Sequence, residues 1–294
     1  MKTIHILNPA AGQGKALKYS ELENAYVTKC PGDACDFVKS ALEKTDEEMN
    51  FKVYGGDGTV NEVVSGIVGS GKQNGYMSIM PVGTGNDLVR SLDKSKDNVK
   101  IDVLTIGERY AVNAINTGFD LEVVLKAAEL KKKPLISGSL AYVLGIFSAL
   151  FGKYGKHLHV EYTDAERKVE SFDGDCLLVV AANGAFYGGG FNASPIAELE
   201  DGLIDLMIVR KVSRLKFISL VLKYQKGLHI DKQTRMAAKG FEDILIFKKC
   251  TNVLIEGTEK MCADGEIFEA KSANIGIIPQ ALKVITKEKE TVNA

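Results

Sequence analysis

The sequence predicts an α/β domain on a parallel sheet over residues 1–108, then a second, mainly β, sandwich-like domain over 109–279, with a tail of about 280–294 returning to the first. Three observations carry this. Up to about residue 105, short apolar strands alternate with helix-period segments, the pattern of a parallel sheet with crossover helices. From about Tyr110 the apolar runs are β-rich and separated by turns, as in sandwiches and barrels. Three strand ends of the first half carry glycine-rich turns: NPAAGQGK at 8–15, GGDGT at 55–59 and PVGTGND at 81–87. In open parallel sheets, ligands lie outside the C-terminal ends of the strands.

Taken in order, Ile4 to Leu7 forms the first strand, a helix follows over Lys15 to Ala25, and Tyr26 to Thr28 is extended. Pro31 and Asp33 open a helix with Ala34, Phe37, Val38, Ala41 and Leu42 on one face. Phe51 to Tyr54 is the next strand, and Val60, Val63, Val64, Ile67 and Val68 recur at helical spacing after it. Met77 to Met80 is the strand that leads into the third turn. In the second half, HLHVEYT, CLLVVAANG, GLIDLMIVR, DILIF and TNVLIEG read as strands, with helical patterns near 121–131, 139–151 and 214–226. No period recurs, so this is not a repeat protein.

The middle turn states a chemical requirement. Thr59 and Glu62 have capping-box spacing, which starts a helix at the turn and aims its free N–H groups into the loop. Such an end attracts phosphates, and Gly55, Gly56 and Gly58 let the backbone approach them closely. A carboxylate at the centre repels a phosphate unless it holds a cation, so Asp57 points to Mg²⁺ arriving with a nucleotide. Neither common template fits: Leu17 stands where the third glycine of G-x-G-x-x-G belongs, and G-x-x-x-x-G-K-[ST] is absent.

Composition narrows the classes. A formal net charge of −1 argues against nucleic acid as a partner. The opening MKTIHILNP enters a strand directly, without the pattern of a signal peptide. Five cysteines with no C-x-x-C pair point to reduced thiols and a cytoplasmic location.

NPAAGQGK, GGDGTVNEV and PVGTGND, in this order and spacing, resemble the catalytic domain of the diacylglycerol kinase and sphingosine kinase superfamily, most of all its soluble bacterial lipid kinases. The likeness continues through NTGFD at 116–120, YGGGFNASPIAELEDGLIDL at 187–206, ADGE at 263–266 and IIPQALKVI at 277–285. GGDGT alone is shared with NAD kinases, whose sheet the first domain is expected to follow; the ordered set is specific.

The resemblance implies a kinase that uses ATP and Mg²⁺. Asn8, Pro9 and Gly12 of the first turn and Thr28, just ahead of C-P-G-D-A, lie against the nucleotide. Gly55, Gly56, Asp57, Gly58, Thr59, Asn61 and Glu62 belong to the stretch that cradles the phosphates, and Thr84 contributes as well. Asp57 acts with Mg²⁺, while Asp264 and Glu266 are the acidic pair of ADGE, Glu266 being the base for the lipid hydroxyl. A structural Mg²⁺ site is implied at Asp201 through its side chain and at Glu198 and Leu203 through their carbonyls. Ile267 departs from the proline that often follows D-G-E. By its residues alone, Asp264-Gly265 is also a tight hairpin turn.

The acceptor implied is a lipid with a hydroxyl, diacylglycerol giving phosphatidic acid, met by peripheral contact at the membrane surface. A kinase of a sphingoid base, phosphatidylglycerol or NAD, and a non-catalytic lipid-binding protein, remain alternatives, and a homo-oligomer is compatible with the sequence. The uncharged stretch LISGSLAYVLGIFSALF, 135–151, lies between Lys131, Lys132 and Lys133 and Lys153 and Lys156. It is short for a spanning helix and suits either a packed helix or one resting on anionic head groups.

Overall fold

The first half is a parallel sheet because its strands are apolar on both faces. β3 (Met49–Gly55) is buried at every residue but Lys52, which requires cover on both sides. It pairs in parallel with β1 (Lys2–Leu7) and β4 (Gly75–Pro81), and β1 pairs in parallel with β2 (Ala25–Val27). Helix α1 (Asp33–Glu43) buries Ala34, Val38 and Leu42, spaced four apart. Helix α2 (Asp57–Gly69) buries Val60, Val63, Val64 and Ile67. With Phe51, Val53 and Met77 they form one core. The computed structural model describes residues 1–83, 85–131, 144, 148–150, 152 and 154–287.

After α3 (Asp87–Ser91), the chain turns β-rich: β5 (Asn98–Ile106), β6 (Arg109–Ala111) and β7 (Ala114–Gly118), then helix α4 (Phe119–Lys131). Strands β8 (Lys156–Asp164), β9 (Val169–Ala182) and β10 (Ile204–Arg210) precede helix α5 (Arg214–Gln225). Two short strands, β11 (Ile230–Asp231) and β12 (Met236–Ala237), lead to β13 (Leu245–Glu256), the hairpin β14 (Lys260–Ala263) and β15 (Glu266–Glu269), and β16 (Ser272–Ile285). The path β15-β14-β7-β9-β10-β13-β16-β4-β3-β1-β2 is continuous. Residues 272–276 of β16 pair antiparallel with β13, and 283–285 pair in parallel with β4. This one strand joins the mainly β half to the parallel sheet.

Three expectations need correction. In place of the helix expected over Lys15 to Ala25, short 3₁₀ turns within Ala11–Tyr19 flank a kink at which Gly12, Gln13 and Gly14 take left-handed φ of 58°, 59° and 86°. DILIF and TNVLIEG are one strand, β13, with a bulge between Cys250 and Asn252 against β8. Helix α2 starts at Asp57 with Gly56 as its cap, and no side chain caps it. Thr59 instead accepts from Asn8 Nδ2 at 2.8 Å, and Glu62 accepts the Ala34 N–H of α1 at 3.2 Å. Most of 135–151 lies outside the described residues, as do Lys132, Lys133 and Lys153. Among the described residues, no helix is long and apolar enough to cross a membrane. All five cysteines are free thiols.

Candidate active site

A cavity of about 1230 Å³ brings the glycine turns of the first half against apolar side chains of the second. From the turns it takes Asn8, Gly12, Gly56, Asp57, Gly58, Thr59, Gly83 and Gly85. From the second half it takes Phe119, Val123, Leu177, Leu178, Val209, Phe217, Val221, Phe241 and Leu245, among others. Its acidic members are Asp57, Asp87, Asp120, Asp264 and Glu266, and no Lys or Arg is among its described lining residues.

The turns are locked together by backbone contact. The Asp57 carboxylate accepts the N–H of Asn86 through Oδ2 at 3.0 Å and that of Asp87 through Oδ1 at 2.8 Å. A side chain at Gly85 would collide with that carboxylate, and one at Gly83 would lie 2.6 Å from the Gly56 Cα. Only glycine permits this approach. The start of α2 therefore faces the cavity uncapped, with its positive dipole end free to meet an anion.

The ADGE segment is a two-residue hairpin. Asp264 and Gly265 take φ of 46° and 96°, the left-handed pair a type I′ turn requires, with Ala263 opposite Glu266. Asp264 then fixes the hairpin to the rest of the site. Its Oδ2 accepts from Val112 N at 2.7 Å and Asn61 Nδ2 at 3.2 Å, and its Oδ1 accepts from Asn113 N and Ala114 N, both at 3.0 Å. Asn61 lies on α2, so the carboxylate ties the hairpin to the phosphate-type turn. Glu266 is about half exposed and lines the cavity, 3.6 Å from Arg109, whose guanidinium lies over Phe268.

Two acidic residues were written inside motifs read for other reasons. Asp87, the last residue of PVGTGND, is 4% exposed; its Oδ2 accepts the Gly189 N–H at 2.8 Å, and its Oδ1 has no hydrogen-bond partner among the described residues. Burial, followed by the charge of Asp57, pushes its carboxyl above the usual range. Asp120, the last residue of NTGFD, accepts from Asn116 Nδ2 at 2.6 Å and the Tyr187 hydroxyl at 2.8 Å, and burial pushes it up to about 6.

This donor set fits Mg²⁺. The ion is commonly held by one or two carboxylates plus substrate phosphates rather than by an all-protein cage. Asp57 and Asp87 supply such a pair, and a cavity lined by carboxylates without a cationic side chain accepts a polyphosphate only with a cation. Among the described residues, no group of three or more His, Cys, Asp or Glu is placed to hold a metal alone.

Other expected positions fall elsewhere. Pro9, Gly55, Asn61 and Glu62 are not among the residues that line the cavity, and Thr84 lies outside the described residues. Thr28 does not line the cavity: its hydroxyl donates to the Leu7 carbonyl at 3.3 Å, because β2 ends one residue earlier. In the loop of Glu198, Asp201 and Leu203, the Asp201 Oδ2 lies 2.5 Å from Lys249 Nζ, and the Glu198 carboxylate lies 2.6 Å from Arg235. An ammonium in that position does not fit a divalent ion on the same oxygen, which needs about 2.0–2.1 Å to each ligand.

Comparison with known proteins agrees with this geometry. Residues 2–117 match the model of the diacylglycerol kinase catalytic domain, and residues 113–286 that of the YegS C-terminal NAD kinase beta sandwich-like domain. A diacylglycerol kinase of Bacillus subtilis is 29% identical over 252 residues, covering 81% of this chain and 76% of that protein. One of Staphylococcus carnosus is 29% identical over 277 residues, covering 90% and 84%. The crystal structure of a diacylglycerol kinase from Bacillus anthracis superposes with a TM-score of 0.68 at 22% identity, over 97% of this chain and 96% of that one. It shares the two-part fold.

Proposed function

The chain belongs to the diacylglycerol kinase family and is a lipid kinase, and from that premise we propose that it transfers the γ-phosphoryl group of ATP, with Mg²⁺, to the hydroxyl of diacylglycerol or a related lipid, giving phosphatidic acid. One observation carries the reading: glycine turns suited to phosphates, an extended apolar wall and Glu266 line a single cavity.

Phosphoryl transfer asks chiefly for in-line positioning and for charge placed against the γ-phosphoryl oxygens. The N-terminus of α2 and the turn amides bind and orient the phosphates. Asp57 holds the Asn86–Asp87 turn in place, and Asp57 and Asp87 are the residues that would hold Mg²⁺, which when bound would offset phosphate charge. Asp264 fixes the hairpin, so that Glu266 orients the lipid hydroxyl and receives its proton. Asp120 and Tyr187 present polar groups near the apolar wall, where a lipid head group meets its chain.

The route to a lipid runs along α5. Its Phe217, Leu220, Val221 and Tyr224 line the cavity, while Leu215, Ile218 and Leu222 are 82%, 50% and 64% exposed. Lys216, Lys223 and Lys226 are exposed beside them. A helix with one face on the cavity and an outer apolar face among lysines suits a seat in an anionic membrane interface.

A lipid panel of diacylglycerol, monoacylglycerol, a sphingoid base, phosphatidylglycerol and a polyprenol, offered with labelled ATP, tests the substrate. Label entering diacylglycerol first supports the reading, and label entering none of the lipids overturns it.

A further inference from the structure

We infer that the ammonium of Lys249 is the resident cation of the 198–203 loop, standing where relatives of this fold are expected to hold a structural divalent ion, so that the loop of this chain is set without metal. The register places it there. In the antiparallel pair β10–β13, Asp205 lies directly opposite Lys249. Lys249 Nζ is 3.2 Å from Asp205 Oδ2 and 2.5 Å from Asp201 Oδ2. The lysine and Asp201 side chains are 17% and 19% exposed, and that of Asp205 is 1% exposed. Two carboxylates this well covered need a compensating cation close by.

The rest of the loop is closed around this pairing. Asp201 Oδ1 accepts the Leu203 N–H at 3.0 Å. The Gly202 N–H donates to Asp102 Oδ2 and the Gln280 N–H to Asp102 Oδ1, both at 2.7 Å, while the Asp102 N–H donates to the Leu199 carbonyl at 2.7 Å. The loop is thereby sewn to β5 and to β16, the strand that joins the two halves. A divalent ion on Asp201 would have to expel the ammonium or lie against it. A cation supplied by the chain is also free of mass action: a metal stabilises by an amount that grows with the logarithm of its concentration over its dissociation constant, whereas Lys249 is always present.

The test uses the purified, chelator-treated full chain without nucleotide. Mn²⁺ titrated into wild type and Asp201→Asn is read by the paramagnetic signal of the free ion. Equal uptake by the two proteins supports the inference, and a site present in wild type and lost in Asp201→Asn overturns it. Thermal unfolding of Lys249→Met gives the second reading. The expected fall is about 5 °C or more, since two covered carboxylates lose their partner. Unfolding within about 1 °C of wild type overturns the inference. Should Lys249→Met not fold, the Mn²⁺ comparison decides alone.

Discussion

Each oxygen of the Asp57 carboxylate accepts one backbone N–H and keeps a lone pair for a cation, and the Oδ1 of Asp87 has no hydrogen-bond partner among the described residues. Replacing Asp57 with Ala is expected to lower turnover by ~10²–10³, the scale for removing one preorganised electrostatic group. Its unfolding temperature should fall by a few degrees, because the Asn86 and Asp87 N–H groups lose the carboxylate that accepts them. More than half of wild-type turnover at saturating ATP contradicts the role. Glu266→Gln is expected to lower kcat by ~10²–10⁴ with the KM for ATP nearly unchanged, as befits a group on the acceptor side. A KM collapse with normal kcat moves Glu266 to the nucleotide. Asp57 could be singled out from sequence by the glycines around it, and Asp264 and Glu266 by the resemblance of ADGE to the family's motif. Asp87 and Asp120 stood in quoted motifs too, but whether their side chains turn inward depends on Gly189 and Tyr187, which are distant in the chain. The pairing of Lys249 with Asp201 and Asp205 is a fact of strand register, and no local spacing announces it.

At the scale of elements, α5 is the part whose surface asks for a partner. Replacing Leu215, Ile218 and Leu222 together with Ser is expected to weaken sedimentation with anionic vesicles several-fold while sparing turnover of a short-chain, water-dispersed diacylglycerol. Equal vesicle binding by the variant and the wild type contradicts an interfacial seat for this helix. Strands and helices with a strong period, β1, β3, β4, α1 and α2, stood where apolar spacing put them, since burial alone decides them. The helix expected over Lys15 to Ala25 is absent: the three left-handed residues Gly12, Gln13 and Gly14 kink the chain, and only short 3₁₀ turns follow as far as Tyr19. Thr59 and Glu62 misled for a different reason: tertiary partners, Asn8 and Ala34, outcompeted the cap they could have formed locally.

At the scale of the whole molecule, stability and reaction can be tested separately. Burial holds His229 down to about 4, where its Nε2–H donates to the Ala193 carbonyl at 2.9 Å, against about 6.5 for a free imidazole. Between those values the unfolded chain binds the proton and the folded chain does not, so acid favours unfolding through this group. Asp120 and Asp205, both pushed by burial up to about 6 from a reference near 3.9, act in the opposite sense over nearly the same range, so wild type alone shows only the balance. Comparison with His229→Gln isolates the imidazole: any advantage of wild type should shrink by up to about 3 kcal/mol from pH 7 to pH 4 in urea unfolding, and a constant gap contradicts it. The two-part fold was legible from the change of pattern near residue 110, whereas the passage of β16 from β13 to β4 is settled by pairing partners far apart in sequence. The central claim, that one cavity joins nucleotide to lipid, is tested most directly by ATP turnover with and without diacylglycerol vesicles, in the presence and absence of Mg²⁺. Turnover is expected to need both the vesicles and Mg²⁺, with the label recovered as phosphatidic acid; turnover indifferent to lipid, with the label recovered on NAD when NAD is added, would contradict it.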